Sequence, residues 1–502
     1  MMYLANRGEA QEIDRATIED RGIPGILLME RAAISVLTEI NKRFHSDSSE
    51  NRPCRVLITV EGGNNGGDGL ALARLLSQQG DMVDVYYIDG ISSASVSFNY
   101  QLDIVKKLGI NISNRIPDGD YDIIVDAVFG VGLKREIQGV WRDAIEIMND
   151  RPGYKIAVDL PSGVDATTGQ ILGTAFAADL TVTFGLNKRG LVLYPGCDMA
   201  GNVVVCDIGF AESEIEKTGI ESYTYDLADL RKLPERMASS NKGTYGRVAV
   251  IAGSRDMSGA MTLAAEAVYR MGAGLVKVYT HENNRIIAGI RVPEAVLMTY
   301  SDADEAETCA MDAVSWSDVI LIGPGIGRSE AARRMVKHVV RSAHQPLVMD
   351  ADALNVISDN RELLRCHRHD VVVTPHIGEM SRLTDISIPD IKKNILEVCK
   401  DFAREYNVID VLKDARTCVS AGDRDVYINT SGNDGMSTAG SGDVLAGIIS
   451  GLIGMGMGTY DAARLGVYIH GLAGDTAAHT KGRNGMLARD MVEAIPDVIK
   501  GA

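Results

Sequence analysis

Ala439-Gly440-Ser441-Gly442-Asp443, followed at once by the apolar run 444–452, is the stretch on which the reading of this 502-residue chain turns. Glycines let a backbone take unusual angles and let a ligand approach closely. The helix predicted over the apolar run leaves its first amide N–H groups unpaired, at the positive end of the helix dipole. Together these suit the oxygens of a transferring phosphoryl group. Asp443 at the helix start is then placed to take the proton of an attacking hydroxyl. Asp is equally a common helix cap, and on this stretch alone the two readings stand level.

Working outward, other strand ends carry similar chemistry. Gly323-Pro324-Gly325-Ile326-Gly327 follows the strand Val319–Ile322, and Gly253-Ser254 follows Arg247–Ile251. Asp350-Ala351-Asp352 closes a strand over 346–349, Thr374-Pro375-His376 one over 371–374, and Lys413 one over 408–412. In a parallel sheet these C-terminal strand ends gather at one edge, where ligands bind. Each alone reads as a turn, Gly253-Ser254 most simply so, but several on one edge point to a site. Lys413, directly after a buried strand, reads as a counter-charge for phosphate rather than as a solvated surface lysine.

Short Val/Ile-rich runs alternate with amphipathic helical stretches throughout, the pattern of a mainly parallel sheet covered by helices. In the first half the strands are expected at Arg55–Val60, 83–88, 122–128, 155–160, Leu180–Phe184 and 203–208, with a helix over 69–79 and two helical stretches ahead of the first strand, broken at Gly22-Ile23-Pro24-Gly25. Those two either pack on their own sheet or lie against a neighbouring subunit, and a homo-oligomer is expected. The charged stretch 210–236 separates the halves, and the boundary is placed near residue 225.

Apolar residues make up 45% of the chain and charged ones 24%, ordinary globular usage. A net charge of −17 argues against a duplex nucleic-acid partner, which demands a basic face. The seven cysteines are scattered singly without metal-ligand spacing, as suits a reducing compartment. No apolar stretch reaches membrane-spanning length and no signal peptide is visible, so a cytoplasmic location is expected.

Lys242-Gly243-Thr244-Tyr245-Gly246, Gly259-Ala260, Gly272-Ala273-Gly274-Leu275-Val276, the 323–327 loop, Thr374-Pro375-His376-Ile377-Gly378-Glu379 and the 440–443 loop occur in an order that resembles the ADP/ATP-dependent NAD(P)H-hydrate dehydratases. The resemblance spans nearly all of 235–500. It implies a ribokinase-like fold, with Ala260, Gly325, His376 and Asp443 lining the hydrated-cofactor site and Asp443 as the catalytic base. It further implies that Lys413, Asp414, Ala415, Arg416, Thr417, Gly440, Ser441 and Gly442 hold an adenine nucleotide, ADP as phosphoryl donor. Magnesium would bridge its phosphates, with Glu379 a candidate for the metal's water shell. Asp414 departs from the family, which usually has glycine there.

In the first half, Glu61-Gly62-Gly63-Asn64-Asn65-Gly66-Gly67-Asp68-Gly69 lies between a strand and a helix expected near Gly69, without the dinucleotide GxGxxG spacing. Taken alone it reads as a turn. Asp126 before Gly130-Val131-Gly132-Leu133, and Asp159 before Pro161-Ser162-Gly163-Val164-Asp165, add oxygen-rich loops at the same edge that suit a hard cation. With Thr181-Val182-Thr183-Phe184, Lys188 and Asp207-Ile208-Gly209, the region from about 10 to 210 resembles the NAD(P)H-hydrate epimerase (YjeF N-terminal) domain. This resemblance implies dinucleotide contacts by Asn64, Asn65, Gly66, Gly67, Asp68, Gly130, Val131, Gly132, Leu133, Lys134, Arg135, Glu136 and Asp159. Asn65, Asp126 and Ser162 would bind potassium, and Asp159 is the candidate nearest the proton transfer.

The expectation is thus a two-domain α/β chain. Residues 1–220 would form a Rossmann-like three-layer epimerase and residues 225–502 a ribokinase-like dehydratase whose mainly parallel sheet has helices on both faces. Together they would repair NAD(P)HX. Two alternatives stay open: an ordinary small-molecule hydroxyl kinase, of thiazole or pyridoxal type, in the second half, and a non-catalytic dinucleotide-binding module in the first.

Overall fold

The structure, a computed structural model, describes residues 1–45, 52–88 and 94–500. The chain divides into two compact units, Tyr3–Ser222 and Tyr223–Ala502, the latter taking in Met1–Met2.

In the first unit seven parallel strands run in the order Asn111–Ser113, Met82–Tyr87, Arg55–Val60, Ile123–Ala127, Tyr154–Val158, Leu180–Phe184, Asn202–Cys206. Alternation along each strand buries both faces. Val56, Ile58 and Val60 pack with Leu70, Leu72 and Val36 of the helices Asn64–Gln79 and Gly25–Phe44. Leu57 and Ile124 face the other way, onto Ala144, Ile145 and Met148 of the helix Val140–Asp150. The result is a three-layer sandwich whose strand order reverses between Arg55–Val60 and Ile123–Ala127.

The second unit repeats the plan. From one edge its strands are Val296–Tyr300, Leu275–His281, Arg247–Ile251, Val319–Ile322, Leu347–Met349, Val371–Val373 and Ile409–Leu412, all parallel, then Cys418–Ser420 and Val426–Ile428, antiparallel. Val248 and Val250 pack under the helices Ser258–Arg270 and Ser441–Gly454, through Ala264, Val268, Ile448 and Leu452. The helix Ala303–Trp316 also packs on the Arg247–Ile251 strand. No helix among the described residues is long and apolar enough to cross a membrane.

Four of these sheet strands escape the sequence reading: Val296–Tyr300, Asn111–Ser113, Cys418–Ser420 and Val426–Ile428. The first is an edge strand whose residues are mostly only half-buried, and the other three have three residues each, too few to show a period. A second difference touches a site. The helix expected near Gly69 starts at Asn64, after an extended Gly63, so Asn64 to Asp68 form its first turn rather than a loop before it. Glycine's poor helix propensity hides this start in the sequence. Packing explains it: a Cβ on Gly66 would sit 1.8 Å from the Glu61 carbonyl oxygen, and one on Gly67 2.4 Å from Met29 Cε.

Candidate active sites

In the second unit, Gly440 takes a positive φ of 91° and serves as N-cap of the helix Ser441–Gly454, which has no side-chain cap. The capping alternative for Asp443 therefore fails. Its carboxyl stands in the first turn, beside the Gly442 and Asp443 amides that the helix itself leaves unpaired. Burial first, then the negative charge of Asp350, pushes its pKa up to about 7, with Lys413 pulling the other way.

Lys413 donates from Nζ to Asp350 Oδ1 at 2.7 Å, and Thr374 Oγ1 donates to the same oxygen at 2.7 Å. Asp350 is 1% exposed, so this is an anchored pair rather than a surface contact. Burial alone would lower the Lys413 pKa, but Asp350 and then Glu379 lift it above its usual value. A Cβ on Gly442 would lie 3.1 Å from Lys413 Nζ and 3.6 Å from Asp350 Oδ2, so the helix start and the ion pair meet across a space only glycine leaves open.

Gly325 and Ala260 also come together, a Cβ at Gly325 falling 2.9 Å from the Ala260 methyl. His376 is exposed and caps the helix Ile377–Thr384, its Nδ1 accepting from the Gly378 and Glu379 amides. Glu379 accepts from the His376 amide, and burial leads in pushing its carboxyl up to about 7. Asp414 and Ala415 lie exposed at the turn beyond Lys413, with Thr417 bonded to the Asp414 carbonyl.

Sequence reading missed Asp350 as the Lys413 partner, and it missed His470. On the helix Thr459–Lys481, His470 puts Nε2 3.3 Å from Ser441 Oγ, and burial first, with the Lys413 charge behind it, holds its pKa down to about 4. The available signal was a lone histidine within the apolar run Val467-Tyr468-Ile469-His470.

In the first unit, a cavity of about 810 Å³ opens at the C-terminal strand edge, where the strand order reverses, the usual ligand position of such sheets. Asn64, Asn65, Asp68, Gly130, Val131, Gly132, Leu133, Lys134, Arg135 and Asp159 all line it. Gly66, Gly67 and Glu136 are not among its lining residues. The two glycines are spent on helix packing, as above, and Glu136 is exposed.

Asp159, at a positive φ of 67°, accepts from Lys188 Nζ at 2.6 Å, Thr183 Oγ1 at 3.2 Å and the Phe184 amide at 3.3 Å. Three further carboxyls line the same cavity: Asp68, Asp14 and Glu61, the last accepting from the Gly63 amide. Asp68 is raised well above its usual pKa by burial, then by Asp159 and Asp14, and Asp14 is raised by burial and then by Asp159. Asp14 comes from the helix Arg7–Glu19, ahead of the first sheet strand, and no motif announces it.

Beneath the cavity floor, Ser162 donates to Asp126 through both its amide and Oγ, each at 2.7 Å, and a Cβ on Gly130 would lie 3.2 Å from Asn65 Oδ1. Burial pushes Asp126, 0% exposed, up to about 6, and bonds from Ser162 and Val128 offset only part of that. Asn65 Nδ2 is buried without a hydrogen-bond partner, and turning the amide over would present an oxygen there. A buried carboxyl with no cationic side chain acting on it, beside oxygen donors and an orphaned amide, fits a monovalent hard cation.

Comparison with known proteins bears on both halves. Residues 248–497 match the family described as NAD(P)H-hydrate dehydratase, and residues 26–190 match the YjeF-related protein N-terminus. The bifunctional NAD(P)H-hydrate repair enzyme Nnr of Moorella thermoacetica is 37% identical, over 99% of this chain and 97% of its own. The chain belongs to the bifunctional NAD(P)H-hydrate repair enzyme family. Among solved structures, a ribokinase-like superfamily protein of Enterococcus faecalis is 31% identical with a TM-score of 0.51, covering 56% of this chain and 96% of its own. The ADP/ATP-dependent NAD(P)H-hydrate dehydratase of Bacillus subtilis, co-crystallised with ATP/Mg2+, is 30% identical with a TM-score of 0.50, over 55% of this chain and 98% of its own. Family membership across both units weighs against the kinase and binding-module alternatives.

Proposed function

We propose that this chain repairs hydrated nicotinamide cofactors, epimerising (R)- and (S)-NAD(P)HX in the first unit and dehydrating the (S) form to NAD(P)H in the second. The observation that carries the reading is Asp443, uncapped and raised to about 7, beside first-turn amides and the Lys413–Asp350 pair.

Hydroxide is a poor leaving group, so dehydration needs the hydroxyl to be activated. Asp443 takes the hydroxyl proton as the oxygen attacks the terminal phosphorus of ADP, and AMP leaves. The Gly442 and Asp443 amides and Lys413 stabilise the charge on the transferring group. The ring-nitrogen lone pair then expels phosphate, and loss of a proton from the neighbouring ring carbon restores the reduced ring. Ala260, Gly325 and His376 would line the substrate site. Lys413, Asp414, Ala415, Arg416, Thr417, Gly440 and Ser441 would hold the nucleotide, with His470 positioning the Ser441 hydroxyl. Magnesium fits as an ion carried by the nucleotide phosphates and water: among the described residues the carboxylates here form no trio converging on one metal. Bound there, it would neutralise phosphate charge, with Glu379 a candidate for its water shell.

In the first unit, inverting the hydrated carbon requires the hydroxyl or the ring C–N bond to break and reform from the other face, so one proton must be given and taken back. Asp68 and Asp14, whose pKa values burial and neighbouring carboxylates raise, would supply the acid, and Asp159 with Lys188 in the same cavity would be the base pair. Asn64 and the 130–135 loop would hold the dinucleotide, with Lys134 and Arg135 facing its pyrophosphate. Potassium would be held by Asn65, Asp126 and Ser162, where it would offset the buried Asp126 charge.

A cytoplasmic location belongs to the same reading, since singly scattered cysteines suit a reducing compartment. The test is to incubate the purified chain with chemically hydrated NADH and ADP and follow the ring absorbance. Recovery of NADH with stoichiometric AMP and phosphate is expected. A phosphorylated alcohol accumulating without NADH would replace this reading with the kinase one.

A further inference from the structure

At the opposite edge of the first sheet, remote from the cavity, three side chains of different ligand chemistry converge. His45 follows the helix Gly25–Phe44, Cys54 precedes the strand Arg55–Val60, and Asp81 precedes the strand Met82–Tyr87. One ligand atom from each (imidazole nitrogen, thiol sulfur, carboxylate oxygen) lies within 4.8 Å of the other two. His45 Nε2 and Asp81 Oδ2 are 3.4 Å apart. Cys54 and Asp81 are buried and His45 is half-buried.

A tetrahedral zinc ion, with bonds of about 2.0–2.3 Å, sets its ligand atoms roughly 3.3–3.7 Å apart. The His45–Asp81 spacing already falls there. Asp81 Oδ1 accepts from the Cys54 amide at 2.8 Å, which aims Oδ2 at the imidazole and ties the two ligand segments together, an outer-shell contact of the kind that orients metal ligands. A plain His–Asp pair explains two of the three groups, and Cys54 packs into the hydrophobic core, yet its sulfur also stands within reach of both partners. As it stands, burial and then the Asp81 charge push the thiol pKa up. A divalent cation reverses that, binding thiolate and carboxylate and releasing a proton. Thiolate and imidazole select a borderline-soft ion over magnesium or calcium.

We propose that His45, Cys54 and Asp81 form a structural site for zinc, with water as fourth ligand, which pins the end of the Gly25–Phe44 helix to the starts of two sheet strands. Sequence spacing hides it, because the ligands come from three separate segments and no two stand at a motif interval. The six-residue strand between this edge and the cavity puts the ion about 20 Å from the reacting groups, so it stabilises and does no chemistry.

The test uses the full chain, stripped with chelator and titrated with cobalt(II) as a spectroscopic stand-in for zinc. Expected are one cobalt per chain, a thiolate-to-metal charge-transfer band, and loss of that band in Cys54→Ser. Zinc should raise the first unit's thermal midpoint in the wild type but not in Cys54→Ser or Asp81→Asn, while the metal-free epimerase rates of all three agree. Asp81→Asn keeps the acceptor for the Cys54 amide, so it tests ligation without disturbing that turn. A wild-type chain that takes up no metal, a charge-transfer band that survives Cys54→Ser, or an equal zinc shift in all three proteins overturns the assignment.

Discussion

Asp443 and Asp159 show how differently two carboxylates can be prepared by their surroundings. Asp443 has its charge opposed by burial and by Asp350, so the dehydration rate should climb as pH rises through about 7 and level off above it, which a pH–rate profile of kcat checks. Asp443→Asn should cost about 10²–10⁴-fold in dehydration and leave epimerisation intact. The same strain has a stability side. A carboxyl whose folded pKa lies near 7, against an ordinary 3.8, binds its proton more tightly in the folded state, so its ionisation weakens the fold progressively as pH rises between those values. Asp443→Asn should therefore raise the second unit's thermal midpoint at pH 8 and leave it nearly unchanged at pH 4, as scanning calorimetry at the two pH values would show. Asp159 is held instead by Lys188, and asparagine tolerates its left-handed backbone. Asp159→Asn should keep the fold and lose epimerisation by a comparable factor.

Among elements, the helix pair that carries the dehydratase site depends on small residues. A Cβ on Gly447 would lie 2.5 Å from the Ala264 carbonyl oxygen, and one on Gly451 2.6 Å from Met271 Cβ, so the Ser441–Gly454 and Ser258–Arg270 helices touch backbone to backbone. In an exposed helix Gly→Ala stabilises by roughly 1 kcal/mol. Here the added methyl pushes the helices apart, and Gly447→Ala should destabilise the second unit by about 1–3 kcal/mol. In denaturant melts the second unit's transition should move and the first unit's should not. The apolar run of this helix was plain in the sequence, but the first turn of its counterpart in the other unit was not. Asn64 to Asp68 looked like a loop because glycines flank and interrupt it, and only the Glu61 carbonyl and the Met29 methyl explain why Gly66 and Gly67, within the helix, must be glycine.

At the scale of the molecule, each unit brings its own site, and the two activities should separate by mutation. Given a mixture of both NADHX epimers with ADP, wild type should recover all of the NADH. Asp159→Asn should stop near the (S) fraction, with chiral chromatography showing the (R) epimer left behind, and Asp443→Asn should recover none while still equilibrating the epimers. An Asp159→Asn variant that consumes both epimers at the wild-type rate would remove Asp159 from the chemistry. The two-sheet plan and the loop clusters at the strand ends were legible in the sequence, since alternating apolar runs and glycine-rich strand ends are local patterns. Asp14 and His470 were not, because each reaches its site from a helix distant in the chain and neither sits in a motif.

From its residues alone, the chain specified two mainly parallel sheets, the edges at which ligands gather, and the glycines and carboxylates stationed there, because strand and helix periods and turn chemistry act over a few neighbouring positions. Only the tertiary structure decided that Asp350 is bound to Lys413 while Asp443 beside them is not spent on capping its helix, that four carboxyls share one cavity with Lys188, and that a histidine, a cysteine and an aspartate meet at the far edge. Burial and charge act through space, and their strength depends on groups that folding brings close from far along the chain.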